Sequence, residues 1–119
     1  MSYFFDTYAL IELMLSNPSY EKYKNFPVKI SILNIAEIYS IILRNKSKDE
    51  ADKWFENYNF ELLEIFPKTM AKAVYFRFMR KNNISLTDAA GYILSLENNL
   101  KFLTGDSKFE NMPNVEFVK

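Results

Sequence analysis

The spacing of apolar positions changes several times along the chain, and each change marks an element. Residues 2–6, with the run Tyr3-Phe4-Phe5, are short and aromatic and read as a buried strand. From Thr7 to Leu15, the residues Leu10, Ile11, Leu13 and Met14 form the apolar stripe of a helix, which Asn17-Pro18 breaks. A short helix around 19–25 stops at Pro27. Val28 to Leu33 (VKISIL) reads as a second strand. Asn34 to Arg44 reads as a helix with Ile35, Ile38, Tyr39, Ile41 and Ile42 on its buried side. Lys46 to Lys48 is a polar turn, and Asp49 to Tyr58 a helix carrying Trp54 and Phe55. Phe60 to Phe66 (FELLEIF) reads as a third strand. Pro67 suits the first turn of a helix, which continues from Lys68 to Lys81 and ends at Asn82-Asn83. Ser85 to Asn98 reads as another helix, Leu100 to Leu103 as a fourth strand and Val115 to Val118 as a fifth.

Strands alternating with helices predict an α/β fold, a parallel sheet covered on both faces. Residues 1–119 read as one domain without repeat, linker or low-complexity segment. Gly91 and Gly105 are the only glycines, so no glycine-rich phosphate loop exists.

Composition narrows the chemistry. The chain is 49% hydrophobic and 17% aromatic, enough for a packed interior, and holds no cysteine and no histidine. Disulfides, thiolate or imidazole metal sites, and serine–histidine or cysteine–histidine catalysis are therefore excluded. The formal net charge is zero, which argues mildly against a protein living on non-specific nucleic-acid affinity. It argues less against a nuclease, whose acidic pocket offsets basic residues elsewhere. No apolar run approaches the ~20 residues that span a bilayer, and the start lacks the pattern of a signal peptide. No membrane partner and a cytoplasmic location are expected.

Against that background four acids stand out: Asp6 and Asp106 at strand ends, Glu37 and Asp88 one turn inside predicted helices. In a parallel sheet all four can gather at one edge, and an oxygen-only ligand set suits a hard cation such as magnesium. Each also has a plain structural role open to it. Asp6 can cap the helix from Thr7. Asn34-Ile35-Ala36-Glu37 matches a capping box with Asn34 as cap. Asp88, in Ser85-Leu86-Thr87-Asp88, suits a first helical turn, and Gly105-Asp106 suits a turn. Jointly the structural roles explain less, because gathered carboxylates repel unless a cation balances them.

Thr7 and Thr104 lie beside two of the acids and can position an acid or a metal-bound water, or simply cap and pack. Arg77, Arg80 and Lys81 end a helix, where cations complement the dipole; RNA contact is the alternative. Arg44, Lys46 and Lys48 form a basic turn, solvated or phosphate-binding. Tyr8 and Tyr92 follow acids and can stack on bases, although core or dimer packing accounts for aromatics too.

Phe5-Asp6-Thr7, Asn34-Ile35-Ala36-Glu37, Thr87-Asp88-Ala89-Ala90 and Leu103-Thr104-Gly105-Asp106 with Phe109 together resemble PIN-domain nucleases, especially the VapC-type toxins of toxin–antitoxin pairs. The resemblance spans essentially the whole chain. It implies a three-layer α/β/α sandwich around a five-stranded, mainly parallel sheet. It also implies endoribonuclease cleavage of single-stranded RNA dependent on magnesium (Mg2+) or manganese (Mn2+), with Asp6, Glu37, Asp88 and Asp106 as catalytic and metal-site acids. A homodimer and a cognate antitoxin protein are the implied partners. Two departures accompany it. Many relatives carry a second aspartate where this chain has Lys108, and Gly91 stands where a larger residue is common, with a reshaped groove as the expected result. The alternative within the family is an inactive module that binds RNA or protein. A phosphoacceptor domain would need its acceptor aspartate after the third strand, where Pro67-Lys68 stands.

Overall fold

The computed structural model describes residues 1–81 and 83–119. Its sheet has five parallel strands in the order β3-β2-β1-β4-β5. The strands are β1 (Tyr3–Phe5), β2 (Lys29–Ile30), β3 (Glu61–Leu62), β4 (Lys101–Thr104) and β5 (Val115–Phe117). Between them run α1 (Thr7–Met14), a 3-10 segment (Pro18–Asn25), α2 (Ile32–Asn45), α3 (Lys48–Asn57), α4 (Pro67–Met79), α5 (Leu86–Glu97) and a 3-10 turn (Ser107–Phe109).

Side chains leave a strand alternately to its two faces, and the central strands divide the interior accordingly. Phe4 and Phe102 point into a core shared with Ala73 of α4 and Ala89, Ala90 and Leu94 of α5. Tyr3, Phe5 and Leu103 point the other way, against Leu10 of α1, Tyr20 and Tyr23, and Ile35 and Ile38 of α2. Helices therefore cover both faces, and the layers are α/β/α. In the first core the Phe102 and Phe109 rings meet at 4.7 Å between centroids. The second ties down the C-terminus: Tyr23 donates to Glu116 at 2.6 Å and Tyr20 to the Val118 carbonyl at 2.5 Å.

Two expected strands are shorter than the apolar runs that suggested them. VKISIL gives only Lys29–Ile30 because Ser31 turns the chain into α2. Ser31 N–H donates to Asn34 Oδ1 at 2.9 Å, and Ser31 Oγ accepts from Leu33 N–H at 3.2 Å. Ser31 is thus the cap, and Asn34 fills the reciprocal position of the capping box. The expected cap at Asn34 is corrected by one turn, and Glu37 lies beyond the capping residues. FELLEIF gives only Glu61–Leu62 because its neighbour β2 has just two residues to pair with. The helix from Pro67 ends at Met79 rather than Lys81; of the expected stop Asn82-Asn83, Asn82 lies outside the described residues.

Gly91 lies on the inner face of α5. A Cβ there would stand 2.6 Å from Phe4 Cε1 and 3.2 Å from Phe102 Cε1. The residue lets the helix settle on the sheet.

Candidate functional site

Chain order and sheet order part company between β1 and β4. The chain runs outward from β1 to β2 and β3, then returns to lay β4 on the other side of β1. Loops leaving the carboxyl ends of such a pair diverge and open a crevice, the usual ligand position in open α/β sheets. Asp6 follows β1 and Asp106 follows β4 by two residues, so the topology sets both at this crevice.

Asp6 is 2% exposed. Its Oδ1 accepts from Ala9 N–H at 2.8 Å, capping α1, and its own N–H donates to the Leu103 carbonyl at 3.1 Å. Burial pushes its carboxyl up to about 8. Hydrogen bonds from Thr104 and Ala9 oppose that rise, while the nearby Asp88 and Asp106 charges add to it.

Thr104 is fully buried and joins two acids. Its hydroxyl favours the charged form of the Asp6 carboxyl, and its Oγ1 accepts from Asp106 N–H at 3.0 Å. Asp106 in turn caps the last 3-10 turn, its Oδ1 accepting from Lys108 N–H at 3.0 Å. Gly105 between them is required by close approach: a Cβ would run into the Tyr8 ring and the Val118 carbonyl.

Glu37 is reached from α1. Thr7 Oγ1 donates to Glu37 Oε1 at 2.5 Å and accepts from Asn34 Nδ2 at 3.1 Å. Asn34, 1% exposed, is itself fixed by Ser31. Ser31 and Asn34 are thus supports of the site that the acids alone do not reveal; the Ser31-x-x-Asn34 cap spacing is their signal in the sequence. Asp88 enters from the first turn of α5, where Ser85 is the cap and its Oγ accepts from Asp88 N–H at 3.1 Å. Burial raises the Asp88 carboxyl to about 6, with the Glu37 and Asp106 charges adding to the effect and Ser85 and Lys108 opposing it.

Repulsion therefore links the four acids in one field: Asp6 with Asp88 and Asp106, and Asp88 with Glu37 and Asp106. Among the described residues no three carboxylates are drawn together at ligand spacing. The donor set is oxygen only and negative, with a buried carboxylate at its centre; that chemistry fits a hard divalent cation.

The sequence matches the PIN domain family over residues 3–115, and the chain belongs to that family. Its fold is similar to a chain of the toxin–antitoxin complex from Klebsiella pneumoniae, with TM-score 0.73, 19% identity, and 98% and 96% of the two chains covered. It is also similar to a chain of VapBC2 from Rickettsia felis, solved bound to a DNA fragment from their promoter, with TM-score 0.72, 18% identity and both chains covered in full. A third similar structure is the VapC20 toxin of Mycobacterium tuberculosis, which cleaves the sarcin-ricin loop, with TM-score 0.77, 15% identity, and 99% and 100% coverage. Comparison with curated proteins gives no match. Among the described residues no helix is long and apolar enough to cross a membrane.

Proposed function

We propose that this PIN-family chain is a metal-dependent endoribonuclease that cuts single-stranded RNA, acting as the toxin of a toxin–antitoxin pair in the cytoplasm. The observation that carries the reading is Asp6: a carboxylate 2% exposed, driven to about 8 by burial and by the nearby Asp88 and Asp106 charges. A fold gains no stability from such an arrangement, so its use is a bound cation. Family membership and the likeness to toxin structures support the nuclease and toxin parts.

Asp6 and Asp106 would hold Mg2+ or Mn2+, with Glu37 and Asp88 completing the site or orienting its waters. A divalent cation there lowers the pKa of a water and balances charge on the phosphate. The chain's own residues do the positioning. Thr104 steadies the Asp106 backbone, and the Asn34–Thr7 pair aims Glu37. Magnesium keeps several waters and takes as few as one or two carboxylates, so four direct ligands are not required.

Residues 1–119 act as one PIN-like domain in this reading, which pairs into a homodimer and is silenced by an antitoxin protein. Tyr75 and Met79 on the outside of α4, 65% and 59% exposed, support a further protein contact. Cleavage of RNA by pure protein should need magnesium or manganese and stop in EDTA; full cleavage in excess chelator would refute the metal mechanism. The lack of three carboxylates at ligand spacing among the described residues favours a second reading, a PIN-like module that binds RNA or protein without cutting. Absence of cleavage at saturating metal by well-folded protein would select it.

A further inference from the structure

The C-terminal end of α4 carries cations that the proposed chemistry does not use. Arg77, Arg80 and Lys81, with Phe78 and Asn83, line a cleft of about 480 Å3. Helix C-termini favour cations, but here they are spread around a cavity. Arg77 Nε donates to the Ile84 carbonyl at 2.8 Å, fixing one wall, and the Arg80 guanidinium lies 5.7 Å from the centre of the Phe76 ring. Among the described residues none of the three pairs with a carboxylate; the ion pairs are formed by Lys24, Lys29, Lys48 and Lys72. In a chain of zero net charge this is a local positive excess. At its rim Phe78 is 79% exposed.

The cleft adjoins the acid edge. Lys108 Nζ donates to the Asn83 carbonyl at 3.2 Å, and the backbone N–H of the same residue donates to Asp106 Oδ1 at 3.0 Å. One residue thus touches both. A cluster of carboxylates repels a polyanion, so cations beside it favour holding a substrate strand across it.

We propose that this cleft binds the nucleotides flanking the scissile phosphate of a single-stranded RNA, Arg80 and Lys81 taking phosphates and Phe78 stacking a base. Guanidinium forks match phosphate oxygens, and an exposed ring beside cations is the usual platform for unpaired bases. The cutting step rests on the ribonuclease reading above; the binding does not.

The test is fluorescence anisotropy with a short unstructured fluorescein-labelled RNA in EDTA, across a series of salt concentrations. Arg77 is left intact because its bond to Ile84 is structural. The double variant Arg80→Gln/Lys81→Gln should bind about tenfold or more weakly, with the slope of log K against log salt reduced by about 1.4. Phe78→Ala should weaken binding about fivefold or more with the slope kept. A control that removes equal charge elsewhere, Lys24→Gln/Lys53→Gln, should stay within about twofold of the parent. Unchanged affinity and slope in the Arg80/Lys81 variant overturn the proposal, as does an equal loss in the control. Equal affinity of the parent for a poly-glutamate peptide, lost in the same variant, overturns it in favour of an acidic protein partner. RNA binding through the cleft without any metal-dependent cleavage keeps the proposal and sinks the nuclease reading. Cleavage with KM unmoved in the double variant does the reverse.

Discussion

Asp6 and Asp52 are the same residue put to opposite uses. Asp52, on α3, accepts from Tyr39 at 2.6 Å and from Lys48 at 2.7 Å. The Lys48 bond, then the Tyr39 bond, holds its carboxyl below the usual range. Asp6 lies at a strand end, buried among acids, and its carboxyl is driven the other way. Where the chain supplies its own counter-charge, a carboxylate belongs to the architecture. At the buried crevice of Asp6 the proposed function assigns that role to a bound cation instead.

The largest expected effect breaks that comparison outright. Asparagine caps a helix about as well as aspartate, so Asp6→Asn keeps the bond from Ala9 and removes only the charge. Cleavage with magnesium should fall at least about a hundredfold, since even residues supporting a metal ligand are worth 10–100-fold. Full activity in Asp6→Asn would reduce Asp6 to a cap.

The second test uses pH without metal. The Asp6 carboxyl rises from 3.8 to about 8, so the folded state binds the proton more tightly than the unfolded chain. Its stabilisation is fully present below the unfolded value and is lost as pH rises through the folded one. Metal-free protein in EDTA should therefore lose on the order of a few kcal/mol of stability between about pH 4 and pH 8. Asp88, raised to about 6, adds a smaller loss over the lower part of that window. Thermal melts should show the decline in the parent, and a flatter profile with a higher Tm at pH 8 in Asp6→Asn. Identical profiles would mean that Asp6 carries no buried charge.

A smaller effect is expected one bond away. Thr7→Val cuts the link between Asn34 and Glu37 while keeping the shape of the side chain. Activity should fall about tenfold with a higher magnesium requirement, and Thr7→Ser should restore it. Loss in Thr7→Val that Thr7→Ser and added magnesium both leave unrepaired would make Thr7 a packing residue.

The contrast between the two aspartates was only half legible in the sequence. Asp6 was visible because Tyr3-Phe4-Phe5 is too apolar to be anything but a central strand, and the residue after such a strand falls at the sheet edge. The order of the elements was visible in the same way. The lengths of β2 and β3 were not, because an apolar run says that residues are buried without saying which partner is there to bond them. VKISIL contains both the end of a strand and the first turn of a helix; only the Ser31–Asn34 bonds separate them. The same boundary moved Glu37 from a cap to a residue held by Thr7 across 30 positions of chain. Spacing along one helix cannot foresee a contact of that kind. For Asp52 the Lys48 pair is legible as an i, i+4 spacing on α3, whereas the Tyr39 bond from α2 is not.

Asp52→Asn is the smallest effect and the sharpest control. Its carboxyl is held below the ordinary value, so the stabilisation it brings is present above the unfolded value and is lost as pH falls through the folded one. That is the reverse of Asp6. The Lys48 and Asp52 side chains are 74% and 39% exposed, and exposed pairs are weak and screened by salt. Asp52→Asn should therefore give a slightly lower Tm at neutral pH and low salt. The difference should shrink as salt rises or as pH drops into the acid range, where the parent loses the same charge. RNA cleavage should match the parent at every pH. A cleavage defect in Asp52→Asn would show that the α2–α3 face also takes part in the reaction, and that a carboxylate with its own cation is not thereby confined to structure.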